Sequence, residues 1–371
     1  MRSFSYFLYE NFDPGLEKDH PGNPRRILDA GADGLLSRVA DFAPGTCPVG
    51  RMREAFGGEA VARLTAAGAL REEKGVLAFD TPVFLEEDAS VLRDFSARTA
   101  AALADRLWEI REKLWTAVGA VRNGFDERRN LYHVLCGMVF DGLFFDWLDR
   151  GGAVAVSRVH PGGLDYLSVI YEDCRALRAF SDGLLCSYNR LTDGKTALES
   201  FGDADGDRFD LYRCFRLRER GALPERFEAA GRLLDALPRG EEKGLLLTEV
   251  RSLLAGRGCR EDCAAVLDLF GYTEGGRVCV PVFSQEDEAA VAHVAALVEE
   301  ALYGPVERTL AEAREGLDLT AVRHGVPPGE IANELYHVLF GGINEEVVRR
   351  GLAAAPPYRT GEGRFLRCIE C

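Results

Sequence analysis

Apolar positions along the chain follow two periods, one of three to four residues and one of two. From Asp33 the first dominates: Leu35, Leu36 and Val39 predict a helix ended by Pro44-Gly45, with further helices over 49–56 and 59–67. Gly68 stands where a glycine commonly follows a last helical residue. Residues 70–79 read as two short extended runs about a turn. Leu92, Phe95, Thr99, Leu103, Leu107, Ile110, Leu114 and Val118 then form one apolar stripe, which predicts a single long helix. A helix carrying His133 follows, reaching about Asp149, and Gly151-Gly152 closes it. The alternating period predicts strands over 4–9, 153–160, 164–172, 184–191, 196–201 and 209–217, with Asn11 to Arg25 an irregular arm. Turn signals stand at Pro161-Gly162-Gly163, at Thr192 to Lys195 and at Asp203 to Asp207.

The second half repeats the first. Leu131-Tyr132-His133-Val134-Leu135-Cys136-Gly137 returns as Leu335-Tyr336-His337-Val338-Leu339-Phe340-Gly341. The flanks return in the same order: Pro82-Val83-Phe84 as Pro281-Val282-Phe283, and Glu86-Glu87-Asp88 as Glu286-Asp287-Glu288. Helices are predicted over 245–254 and 260–270, and a turn and strand over 271–283. A long helix over 288–315 should kink or break at Gly304-Pro305, because proline removes a backbone donor. A second histidine-bearing helix over 328–350 and a strand over 364–369 complete the pattern. Self-similarity on this scale predicts two copies of one structural unit. The expected fold is α+β and mainly helical, with a small antiparallel insert between two duplicated units. The expected boundaries are 1–24 for an N-terminal strand and arm, 25–175, 176–239 for the insert, and 240–371.

Three helices followed by a small hairpin, with Arg63 to Gly75 as the passage between them, resemble the winged helix-turn-helix fold over about residues 27–84. The resemblance implies a tandem winged-helix protein whose third helix would lie in a DNA major groove. In that case Arg51, Arg53 and Arg63 are the candidate DNA contacts. Charge argues against generic phosphate binding, since the net charge is −15. Residues 24–85 carry eight bases against eight acids, and residues 240–283 carry five against seven. Any DNA binding is therefore expected through the first copy only. A protein partner or a small ligand is the alternative, on an acidic scaffold.

Residues 1–15 show no basic segment followed by a long apolar run, and no stretch approaches about 18 apolar residues. A cytoplasmic location without a membrane partner is expected. P-loop, GxGxxG, GxSxG and HExxH motifs do not occur in the sequence, which argues against the common nucleotide-dependent classes; a metal- or thiol-dependent sensor or enzyme using the cysteines and histidines is a further alternative. At helical spacing His133 shares a face with Asn130 and Gly137, and His337 shares one with Asn333 and Gly341. These four polar residues are the candidate ligand contacts. The competing expectation is that each histidine bonds a backbone carbonyl while the glycine admits a close neighbour. Cys259, Cys263, Cys368 and Cys371 could supply four thiolates to zinc, although CxxxC with a terminal CxxC is not a familiar spacing. Asp203, Asp205 and Asp207 lack the glycine and glutamate of a calcium loop, so they are read as turn residues.

Overall fold

The computed structural model describes residues 2–10, 20–28, 32–204, 208–219, 221, 223–356 and 363–368. The fold is α+β and mainly helical. By compactness the chain divides into two discontinuous units, which differ from the contiguous boundaries expected. One comprises Met1–Ala100, Phe145–Ser181 and Tyr303–Leu339; the other comprises Ala101–Phe144, Asp182–Leu302 and Phe340–Cys371. Each unit thus draws on both halves of the sequence.

In the first unit, helix Ala32–Ala40 is followed by a short strand Cys47–Pro48, helices Val49–Phe56 and Gly58–Ala66, and strands Leu70–Glu73 and Val76–Phe79. The three strands form one antiparallel sheet in which Val76–Phe79 is central. Leu35, Leu36, Val39, Met52, Val61, Leu64, Leu77 and Phe79 are buried, so the helical periodicity does define the inner faces. Gly68 has a φ of +64°; its N–H donates to Thr65 O and that of Ala69 to Leu64 O, the paired bonds of a left-handed helix stop. A second sheet has Asp165–Glu172 at its centre, antiparallel to Phe4–Glu10 and parallel to Val83–Phe84.

The second unit carries helices Glu228–Asp235, Glu242–Leu254 and Glu261–Leu269, then the two-residue strands Thr273–Glu274 and Arg277–Val278. Ala230, Leu234, Leu246, Val250, Val266 and Phe270 belong to one buried cluster. The stop at Gly271 repeats that at Gly68: its φ is +70°, its N–H donates to Asp268 O, and that of Tyr272 donates to Leu267 O. The sheet here places Gly363–Cys368 antiparallel to Thr196–Asp203 and parallel to Val282–Phe283, with Leu185–Thr192 at the edge. Two registers coincide. Ile170 N donates to Pro82 O at 2.9 Å in one sheet, and Leu366 N donates to Pro281 O at 2.9 Å in the other.

Several local expectations are corrected. The strands of the middle segment do not form a separate insert but join the chain's last strand in one sheet. Residues 209–217 are not a strand: Leu211–Glu219 is a helix, started by Asp210, whose carboxylate accepts from Arg213 N at 2.8 Å. Leu211, Cys214 and Phe215 are buried at helical spacing, and of these Leu211 and Phe215 also fit the alternating period. A hairpin at Asp203 to Asp207 is excluded by that helix, and residues 205–207 themselves lie outside the described residues. The arm expected over 11–25 lies outside them from 11 to 19. The stripe over 92–118 is split into Asp88–Glu109 and Arg111–Val118 by a tight turn in which Ile110 N reaches Leu107 O. Helix Glu288–Gly316 instead runs unbroken through Pro305, with Val298, Leu302, Val306 and Leu310 buried along it. Of residues 153–160 only Arg158–Val159 is extended.

The helix around His133 is not uniformly α. Glu127–Leu131 gives way to a π-helical stretch, Tyr132–Phe144, before Phe145–Arg150 resumes the α form. Stretches of this kind are usually single turns and frequently mark functional positions. Two helical segments, Glu127–Arg150 and Gln285–Gly316, do reach the length and hydropathy of a membrane span, which the sequence reading had not anticipated. In the first, 67% of the apolar window is buried inside the structure, as in a core helix.

Candidate functional site

The two histidines of the repeat sit in different surroundings. His337 lies on helix Pro328–Arg349, buried in the first unit. Its Nδ1 is 2.9 Å from Asn333 O, one turn back; because a carbonyl only accepts, Nδ1 carries a hydrogen. Tyr9, on the edge strand Phe4–Glu10, places its hydroxyl 3.4 Å from Nε2 and 3.3 Å from Glu334 Oε2. Tyr171, on the central strand, donates to Glu334 Oε1. The Tyr9 ring stands 5.1 Å from the His337 ring, and Phe145 meets that ring edge-on at 5.3 Å. The result is a buried carboxylate and an imidazole, bridged by phenols and walled by aromatic rings.

His133, in the second unit, is fully buried and has no such partners. Neither ring nitrogen has a hydrogen-bond partner among the described residues, and the hydroxyl of Tyr132 has none either. Phe365 at 4.8 Å, Tyr132 at 5.4 Å and Phe283 at 6.3 Å surround the ring. Burial, reinforced by the nearby Arg129 charge, pushes its pKa well below the ordinary histidine value, so the ring is neutral. The register explains the contrast. Tyr9 opposes Leu167 three residues before the Ile170 anchor, and Phe201 opposes Gly363 three residues before the Leu366 anchor. Tyr171 lies opposite Phe84 where Arg367 lies opposite Phe283. Three residues before the histidine stands Glu334 in one copy and Asn130 in the other. The polar groups around His337 are thus replaced one by one around His133.

The asparagines serve the backbone. Asn130 exchanges amide hydrogen bonds with Asn123 at 2.8 and 3.1 Å and also donates to Phe125 O. Asn333 donates to Ala155 O at 2.8 Å. The glycines face the sheet of the second unit: a methyl on Gly137 would stand 3.3 Å from Phe201 Cβ, and one on Gly341 would stand 3.2 Å from Leu184 Cδ2 and 3.4 Å from Cys186 Cβ.

Among the candidate DNA contacts, Arg51 is exposed, Arg53 pairs with Glu72 at 2.7 Å, and Arg63 is half-buried. Cys259 and Cys263 flank the start of helix Glu261–Leu269, and burial pushes their thiols up to about 11 and about 12. Cys368 is buried on strand Gly363–Cys368 and disulfide-bonded, so it is not the free thiolate expected for zinc, and Cys371 lies outside the described residues. No group of three or more His, Cys, Asp or Glu among the described residues is arranged to hold a metal ion.

Tyr9, Tyr171 and Glu334 were not found from sequence. Glu334 shares the face of His337 at i−3, and that spacing was available; the two tyrosines arrive through strand pairing, which no local pattern reveals. No family model, curated protein or solved structure matches the chain.

Proposed function

We propose that the chain is a cytoplasmic binding and regulatory protein, built from two winged-helix-like pieces by duplication, whose helix-and-hairpin faces meet protein rather than DNA. The order helix, strand, helix, helix, hairpin over 32–79 supports the first piece, and three helices with a hairpin over 228–278 support the second. The matching left-handed helix stops at Gly68 and Gly271, and the matching Pro82 and Pro281 carbonyl bonds, support their common origin. The choice of partner rests on one observation, the charge presented between residues 51 and 74. Arg51, Arg53 and Lys74 are exposed there against Glu54, Glu59, Glu72 and Glu73. A DNA-reading face releases counterions through an excess of bases, and this face has none. The second piece follows suit, with Arg260 and Arg277 exposed beside Glu261, Asp268 and Glu274.

The test is selection from a random duplex library with the full chain at low salt. No sequence should be enriched, and a random duplex should show no saturable binding at about 1 µM protein, below the usual non-specific range. An enriched sequence whose binding falls steeply with salt and disappears in Arg51→Ala or Arg63→Ala would establish the DNA reading instead.

A further inference from the structure

Four glutamates are buried among the described residues: Glu199, Glu242, Glu330 and Glu334. Three of them face an arginine, Glu199 with Arg190 at 3.1 Å, Glu242 with Arg218 at 3.1 Å and Glu330 with Arg158 at 2.9 Å. Glu334 has no cationic side chain paired with it among the described residues; its oxygens accept only from the phenols of Tyr9 and Tyr171. A carboxylate offers about four lone-pair positions, so two phenols leave part of it unmet. Burying a carboxylate without a counter-charge is unfavourable, and native proteins answer it with a partner.

We propose that Glu334, with Tyr9, Tyr171, His337 and Phe145 around it, is a binding site for a small organic cation of the protonated-amine or quaternary-ammonium class. One carboxylate calls for one positive charge. Aromatic rings lie beside it, Tyr9 at 5.1 Å and Phe145 at 5.3 Å from the His337 ring, and such rings attract an alkylammonium through their quadrupole and cover its carbon atoms. A metal ion would need several hard donors converging on one point, and the single carboxylate does not supply them. Tyr9 and Phe145 are half-buried, so solvent reaches part of these two side chains. The Tyr9 hydroxyl lies beyond ordinary O–H···O distance from Glu334, at 3.3 Å, so an incoming ammonium displaces a weak contact. The corresponding positions of the other unit, Phe201, Arg367 and Asn130, keep neither the carboxylate nor a phenol, which confines the site to the first unit.

The experiment is thermal unfolding of the full chain titrated with tetramethylammonium chloride and with butylammonium chloride. Sodium chloride at matched ionic strength and tert-butanol, a neutral isostere, are the controls. A saturable rise in Tm with at least one ammonium salt, absent from both controls, is expected, and Glu334→Gln should abolish it. Absence of a saturable rise in the parent chain, or an equal rise in Glu334→Gln, overturns the site. If Glu334→Gln does not fold, Tyr9→Ala decides, because it removes one aromatic wall at a half-buried edge position. Its affinity should fall by about tenfold, the scale of one partly desolvated cation–π contact; unchanged affinity in Tyr9→Ala overturns the proposal.

Discussion

Glu330 is the residue whose titration should be felt by the whole fold. It lies at the start of helix Pro328–Arg349, 2% exposed, with Arg158 Nε 2.9 Å from Oε1, while Oε2 has no hydrogen-bond partner among the described residues. Arg158 is shared with Asp80 at 3.3 Å, and Arg71 stands 3.6 Å from Asp80. Burial outweighs the Arg158 charge, aided by Asp80, and raises the Glu330 pKa to about 7. Between about 4.5 and 7 the folded chain therefore holds a proton that the unfolded chain has released. This contribution to stability is full at low pH and is lost as pH rises through 7. His160 and His324 act with the opposite sign, since burial lowers both to about 4 and their contribution is lost as pH falls from 6.5. Comparing Glu330→Gln with the parent isolates the glutamate. In urea unfolding the variant should gain on the parent between pH 5 and pH 8, by about 3 kcal/mol at most for a shift of this size. A difference that does not change with pH would mean the carboxyl is ionised throughout. The sequence marked His133 and His337 through their repetition, but not Glu330, because the period places a residue on a face without saying how wet that face is.

At the scale of elements, the glycines after the two histidines decide how closely the helices approach their sheets. An alanine in a helix interior gains about 1 kcal/mol of propensity over glycine. Here the added methyl meets Phe201 at Gly137, and Leu184 and Cys186 at Gly341, all at 3.2 to 3.4 Å at closest. Those contacts are tight enough that the neighbours must give way, so Gly137→Ala and Gly341→Ala should each lower stability by about 1 to 3 kcal/mol overall. Gly363→Ala should be worse, because its methyl would fall 2.5 Å from Tyr132 Cε1 and 3.1 Å from the His133 ring. Chemical denaturation of the three variants gives the order; a Gly363→Ala chain as stable as Gly137→Ala would contradict it. Elements with one unambiguous period were legible, such as helix Ala32–Ala40. Leu211–Glu219 was not, because Phe209, Leu211, Phe215 and Leu217 suit either period and only the Asp210 cap separates them. The π-helical stretch at Tyr132–Phe144 was illegible for a similar reason: its nearly continuous apolar run carries no period to read.

At the scale of the whole molecule, the sequence shows a repeated heptapeptide but not which half of the chain covers each copy. The sequence places His133 in the first half and His337 in the second. Yet His337 packs with Tyr9 and Phe145 from the first half, while His133 packs with Phe283 and Phe365 from the second. Local periodicity predicts that a helix has an apolar face, not which half of the chain will cover it. Each compact unit is completed by the opposite half of the sequence, with Tyr303–Leu339 in the first and Ala101–Phe144 in the second. Separate expression of residues 1–181 and 182–371, compared with an equimolar mixture, tests it most directly. Each half alone would expose the apolar faces that the other covers, and should lack near-ultraviolet circular dichroism and a cooperative thermal transition. The mixture should recover both, as a one-to-one complex with the transition of the intact chain. A 1–181 fragment that is monomeric, unfolds cooperatively by itself and is unchanged by adding 182–371 would contradict the account.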